Sequence, residues 1–199
     1  MGEIVGKGRL EAISDGIMAI IITIMVLELK VPHGADLAAL RPLIPVFMSY
    51  VMSFVFLIIY WNNHHHLLHA VRHVNGRILW ANAHLLFWLS LIPFVTGWMG
   101  ENYFAPIPVA LYGTVILCSA IASNILTVSL ISHHGKNSTL AIAFDRGIKG
   151  KISLGLYIVA IPLSFVNSWL ACAMYAMVSF LWLVPHRQIE QSLKSDDRV

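Results

Sequence analysis

Residues 16–27 read G-I-M-A-I-I-I-T-I-M-V-L, without one charged side chain. Polar clusters bound the run: Arg9, Glu11, Ser14 and Asp15 before it, Glu28 and Lys30 after it. A helix of about 20 apolar residues crosses a bilayer, and the stretch from Glu11 to Leu29 meets that length. Val31-Pro32-His33-Gly34 then stops it, because proline pushes the residue before it out of the helical region. At about 100° per residue, Gly16, Ile20, Thr23, Ile24 and Leu27 fall on one stripe. The stripe is apolar but for a single hydroxyl. Asp15 lies about 140° round from Ile20. An unpaired charge near hydrocarbon costs several kcal/mol, so Asp15 demands a partner on another helix.

The rest of the chain repeats this pattern. Only 12% of its 199 residues are charged and 58% are hydrophobic, against about a quarter and about half in a soluble domain. Further spans are expected at about 43–61, 78–98, 107–131, 152–165 and 169–184. Pro42 and Pro45 fall in the first turn of the second, where proline is tolerated, and Ala35–Leu40 suggests a short surface helix. Val166-Asn167-Ser168-Trp169 reads as an interfacial turn dividing the last apolar stretch. The expected fold class is an all-α polytopic membrane protein of six transmembrane helices, one domain over residues 1–199. There is no internal repeat. Six spans put both termini on one side. Eleven of the 13 Lys and Arg fall there (Lys7, Arg9, Arg72, Arg77 and those after residue 135), with Lys30 and Arg41 opposite. The bias makes that side cytoplasmic. Cys118 and Cys172 sit in apolar runs and suggest no disulfide framework. No cleavable signal peptide is evident at the N-terminus. No phosphate loop, nucleophile elbow or nucleic-acid module appears.

Arg9, Ser14 and Asp15 stand at the spacing R-x-x-x-x-S-D. This resembles the R-x-x-x-F-S-D signature that opens the first helix of the endolysosomal and bacterial potassium channels lacking the usual carbonyl filter loop. Ile13 stands where that family has Phe, so the ring is lost while the bulk is kept. Trp61, His64 and His65 resemble the family's Trp and adjacent His, and Asn82 and Pro93-Phe94 its third-helix residues. The resemblance covers most of residues 9–94. It implies a single-repeat bacterial member: a homotetramer in the cell membrane whose four first helices surround a central pore. Potassium and other monovalent cations would pass down the axis without a cofactor or bound metal. Rings of Ile20, Ile24 and Leu27 would form an apolar gate and filter. Thr23 would contribute to a modest preference for potassium over sodium. Arg9, Ser14, Asp15, Trp61, His65 and Asn82 would form a network supporting the gate. Glu28 would face or flank the outer mouth.

Other readings attach to some residues. His64, His65, His66, His69 and His73 fall within ten residues, and the spacing places His66, His69 and His73 on one helical face. Imidazole is a common metal ligand, so a histidine-dependent metal enzyme is one alternative. Such sites need converging clusters, and the only other adjacent pair is His133-His134, with His84 inside a helix. An ion-coupled transporter is the other, though repeats or broken midplane helices would be expected of it. The hydroxyl of Thr23 either bonds the carbonyl four residues back or lines a pore. Tyr112-Gly113-Thr114-Val115 carries the letters of a carbonyl filter in the wrong order and reads as helix.

Overall fold

The computed structural model of the protein describes residues 6–69, 71, 73–134 and 147–183. Arg72, Lys136, Arg146 and the tail from Val184 onward, including Arg187, Lys194 and Arg198, lie outside the described residues. Among those described there is helix and turn and no strand. The order is α1 (Lys7–Leu27), a 3-10 helix (Leu37–Leu43), α2 (Ile44–His69), α3 (Gly76–Ser90), α4 (Ile92–Glu101), α5 (Pro106–His134), α6 (Gly147–Leu163) and α7 (Ser168–Leu183). Lys7–Leu27, Leu37–His69, Gly76–Glu101 and Pro106–His133 are each long and apolar enough to cross a membrane. Ser168–Leu183 is a shorter apolar helix, and α6 has 17 residues.

Local chemistry sets these boundaries. Asp36 caps the 3-10 helix by accepting from the Ala39 amide, and Asn75 caps α3 by accepting from the amide of Ile78 at 3.0 Å. The run that reads as one span over 78–98 is interrupted at Leu91. Pro93 explains the break: it donates no backbone bond and its ring crowds the carbonyl four residues earlier. Asn167 separates α6 from α7, its side chain accepting from the Leu170 amide. Tyr112 to Val115 lie within α5 as ordinary helix.

Helix α1 packs on α2, α3 and α4, α3 lies along α5, and α6 and α7 pair with each other and lean on α5. One core joins these helices, with Met18, Met25, Leu57, Leu85, Tyr112 and Tyr175 fully buried. Glycine permits the closest approaches. A Cβ at Gly100 would stand 2.6 Å from the Cα of Val46, and one at Gly113 would collide with the Tyr175 hydroxyl. Small residues of this kind let membrane helices approach closely.

Candidate pore helix and its polar anchor

Helix α1 has two contrasting faces. Leu10, Ser14, Met18, Ile21 and Met25, spaced by three and four, are buried against the rest of the chain. The stripe of Gly16, Ile20, Thr23, Ile24 and Leu27 is exposed. Ile20 is 57%, Ile24 40% and Leu27 80% accessible, so three large apolar side chains of the first helix are left largely uncovered by the described residues. The Thr23 hydroxyl lies 3.0 Å from the Ala19 carbonyl and 2.9 Å from that of Ile20. The back-bonded reading of this residue is therefore realised in the protomer. Its oxygen still has lone pairs on the exposed side.

Beneath the covered face lies a buried polar chain. The Ser14 hydroxyl donates to the Leu10 carbonyl at 2.8 Å. Having spent its proton there, the oxygen accepts from Asn82 Nδ2 at 3.0 Å. The amide is thereby oriented, and Asn82 Oδ1 faces His64 Nε2 at 2.7 Å. His64 must then carry its proton on Nε2. Ser14, His64 and Asn82 are all buried, so each needs its partner. A second set lies on the flank of α1. Trp61 Nε1 donates to Asp15 Oδ1 at 3.0 Å, which supplies the partner that the acid demands. His65 Nδ1 lies 3.3 Å from Glu11 Oε1, and its ring stacks on Trp61.

The structure thus brings together Ser14 with Asn82, and Asp15 with Trp61. It adds two residues to the expected network: His64, which faces Asn82, and Glu11, which pairs with His65 where that ring stacks on Trp61. Arg9 is exposed and joins neither set of contacts. His64 was findable: it lies seven residues beyond Leu57 and eleven beyond Ser53, in phase with the buried side of α2. His73 lies beyond the end of α2 at His69, so it does not share a helical face with His66 and His69. Among the described residues, no group of three or more His, Cys, Asp or Glu could hold a metal ion.

At the other end of α1, the Glu28 carboxylate lies over Gly97 of α4. It therefore flanks the stripe. Lys30 bridges to Glu101 at 2.6 Å. That hydrogen bond and the charge of Glu101 hold the Lys30 ammonium above its ordinary pKa.

The family of the endosomal/lysosomal potassium channel TMEM175 matches residues 9–93 of this chain. A potassium channel of Chryseobacterium sp. (strain P1-3) is 52% identical over 190 residues, covering 96% of this chain and 99% of that protein. The chain belongs to the TMEM175 potassium channel family. A second relative, a potassium channel of Chamaesiphon minutus, is 31% identical over 179 residues, 82% of this chain and 87% of that one. The crystal structure of a lysosomal potassium-selective channel TMEM175 homolog from Chamaesiphon minutus superposes with a TM-score of 0.77 at 28% identity, covering 89% of this chain and 96% of that chain. Proteins of the TMEM175 family are potassium channels, not enzymes. The family match begins at Arg9 and ends at Pro93. It thus takes in α1, the buried Ser14–Asn82–His64 chain and the Asp15–Trp61 bond.

Proposed function

We propose that potassium crosses the membrane along an axis between four copies of α1. The carrying observation is the bare stripe of Gly16, Ile20, Thr23, Ile24 and Leu27 opposite a fully covered face. One helix cannot enclose a path. Copies arranged in cyclic symmetry can, and they would turn the stripe into stacked rings. Rings of Ile20, Ile24 and Leu27 offer water no polar partner, so a narrow ring dewets and closes, while a wider one admits a partly hydrated cation. Apolar walls cannot replace a hydration shell as carbonyls do, and the preference for potassium over sodium is modest. Thr23 supplies the one hydroxyl. Ser14, Asp15, Trp61, His64 and Asn82 hold α1 in place without touching the ion. Arg9 sits at the start of α1 beside this network.

The whole chain acts as one six-helix domain in the cell membrane, α6 and α7 completing the set, with no cofactor. The ends of α1, α2, α3 and α5 support the orientation. Lys7 on His69 and Asn75 beside His133 place the start of α1, the end of α2, the start of α3 and the end of α5 together. Lys7, Arg9 and Arg77 lie at that end and Lys30 and Arg41 at the other, a bias that supports a cytoplasmic N-terminus and, with six spans, a cytoplasmic C-terminus.

The test is potassium flux into liposomes holding equal amounts of folded protein. Ile20→Asn, Ile24→Asn and Leu27→Asn should each hydrate one ring. Flux should rise, most at the narrowest ring, expected at Ile20. Lower flux in all three, in step with lost protein, would remove α1 from the pore.

A further inference from the structure

Lys7, Glu11 and Asp15 stand four residues apart on α1. His69, His65 and Trp61 stand four apart on α2, in the opposite order. Each pair meets. Lys7 Nζ donates to the His69 carbonyl at 2.8 Å, Glu11 Oε1 lies 3.3 Å from His65 Nδ1, and Trp61 Nε1 donates to Asp15 Oδ1 at 3.0 Å. Residues four apart share a helix face, so the three contacts form an antiparallel ladder about 12 Å long on the first turns of α1. Beyond it, α1 meets its neighbours through buried Met18, Ile21 and Met25 and partly buried Ile17 and Ile22. Among the described residues, the polar contacts that α1 itself makes to other helices lie in its first turns, while just past its far end Lys30 bridges to Glu101.

Only in the middle rung does an imidazole itself make the contact, since His69 contributes its backbone carbonyl. Imidazole is the side chain whose charge ordinarily changes between pH 5 and 8. Uncharged, it offers Glu11 at most a hydrogen bond; protonated, it offers an ion pair, and charge-assisted bonds are roughly twice as strong. The direction of the pull follows from the helix. Glu11 is nine residues from Ile20, about 180° round α1. A stronger rung draws the first turns of α1 toward α2 and directly away from the exposed stripe.

We infer that Glu11 and His65 are a positioning pair whose charge state sets how far the cytoplasmic end of α1 stands from the channel axis. Protonation of His65 draws that end outward and favours conduction. The pair rests on the reading of α1 as the pore wall. The other titratable or charged groups around His65 are Lys7 and Asp15, one turn to either side on α1, and His64, His66 and His69 on α2. His64 is committed to Asn82, Asp15 to Trp61 and Lys7 to a backbone carbonyl. His66 and His69 remain unchanged in the variants below, so their contribution is common to all arms.

The experiment compares potassium flux into liposomes at symmetrical pH 5.5 and pH 8 for the parent, Glu11→Gln, His65→Gln and the exchanged pair Glu11→His/His65→Glu. The melting of each protein in detergent is followed at both pH values. The parent should conduct about two- to fivefold faster at the lower pH, the scale of a partly exposed ion pair. Either single substitution should bring the ratio toward one, and the exchanged pair should restore it. Melting should report the same pH-dependent difference, independently of flux. Should a single variant fail to fold, Glu11→Asp keeps the charge on a shorter arm and should retain a reduced ratio. A parent ratio near one, or an unchanged ratio in either single variant, overturns the proposal. Failure of the pore reading looks different: the stripe substitutions would then leave flux tracking folded protein at both pH values, whatever the pair does.

Discussion

Replacing Asn82 by alanine should be among the most costly polar substitutions in this protein. The side chain is 1% accessible and joins three helices, through Ser14 on α1 and His64 on α2. Asn82→Ala leaves the His64 Nε2 proton buried without an acceptor, a penalty of about 1–3 kcal/mol. It also removes the donor to Ser14, worth about 0.5–1.5 kcal/mol. Ser14 keeps its own bond to Leu10, so it loses an acceptor role only. The sum is about 2–4 kcal/mol, lowered where the unfolded chain in a membrane finds substitute partners. Ser14→Ala should cost less, because Asn82 still satisfies His64; it leaves one buried Asn82 Nδ2 proton without its acceptor, a penalty of about 1–3 kcal/mol. A double-mutant cycle over Ser14→Ala and Asn82→Ala, read by denaturation of detergent-solubilised protein, should return a coupling of about 1 kcal/mol. The reasoning fails if Ser14→Ala is as damaging as Asn82→Ala, or if the two effects simply add.

Thr23→Ala removes a hydroxyl bonded only within its own helix turn, so stability should move by no more than about 0.5 kcal/mol. Under bi-ionic conditions the reversal potential should shift toward less preference for potassium; an unchanged potential with intact conduction would take Thr23 out of the filter. Asp15→Asn keeps an acceptor for the Trp61 indole but loses the charge, weakening that bond by about 1 kcal/mol. Tetramer yield or opening should fall more than selectivity, and Asp15→Ala should be worse; a large selectivity change with a stable tetramer would place Asp15 against the ion. Gly100→Ala should destabilise by about 1–3 kcal/mol, because the added Cβ meets the backbone of Val46 at 2.6 Å. Gly16→Ala meets nothing within 4 Å, and comparable melting losses at the two glycines would contradict the close packing of α2 on α4.

The pattern of residues 9–32 determined a great deal by itself. Helix periodicity is set by backbone geometry, so the angles between Ile20, Thr23, Leu27 and Asp15 follow from their numbers alone. The need of Asp15 for a partner followed from the cost of burying charge. The turn at Asn167 could be read from polar residues in an apolar run. What periodicity cannot give is the rotation of one helix against the next. His64 and His65 differ by about 100° on the same helix, and only the packing of α2 on α1 and α3 decides that the first reaches Asn82 and the second Glu11. The same holds for Arg9, which shares a motif with Ser14 and Asp15 yet projects from an exposed position. The interruption at Leu91 was written in Pro93, but proline in a long apolar run is compatible with either a kink or a stop until neighbouring helices fix the path. The sequence named the helix and its stripe. The tertiary structure decided which face was left bare, because only α2, α3 and α4 together say what is already covered.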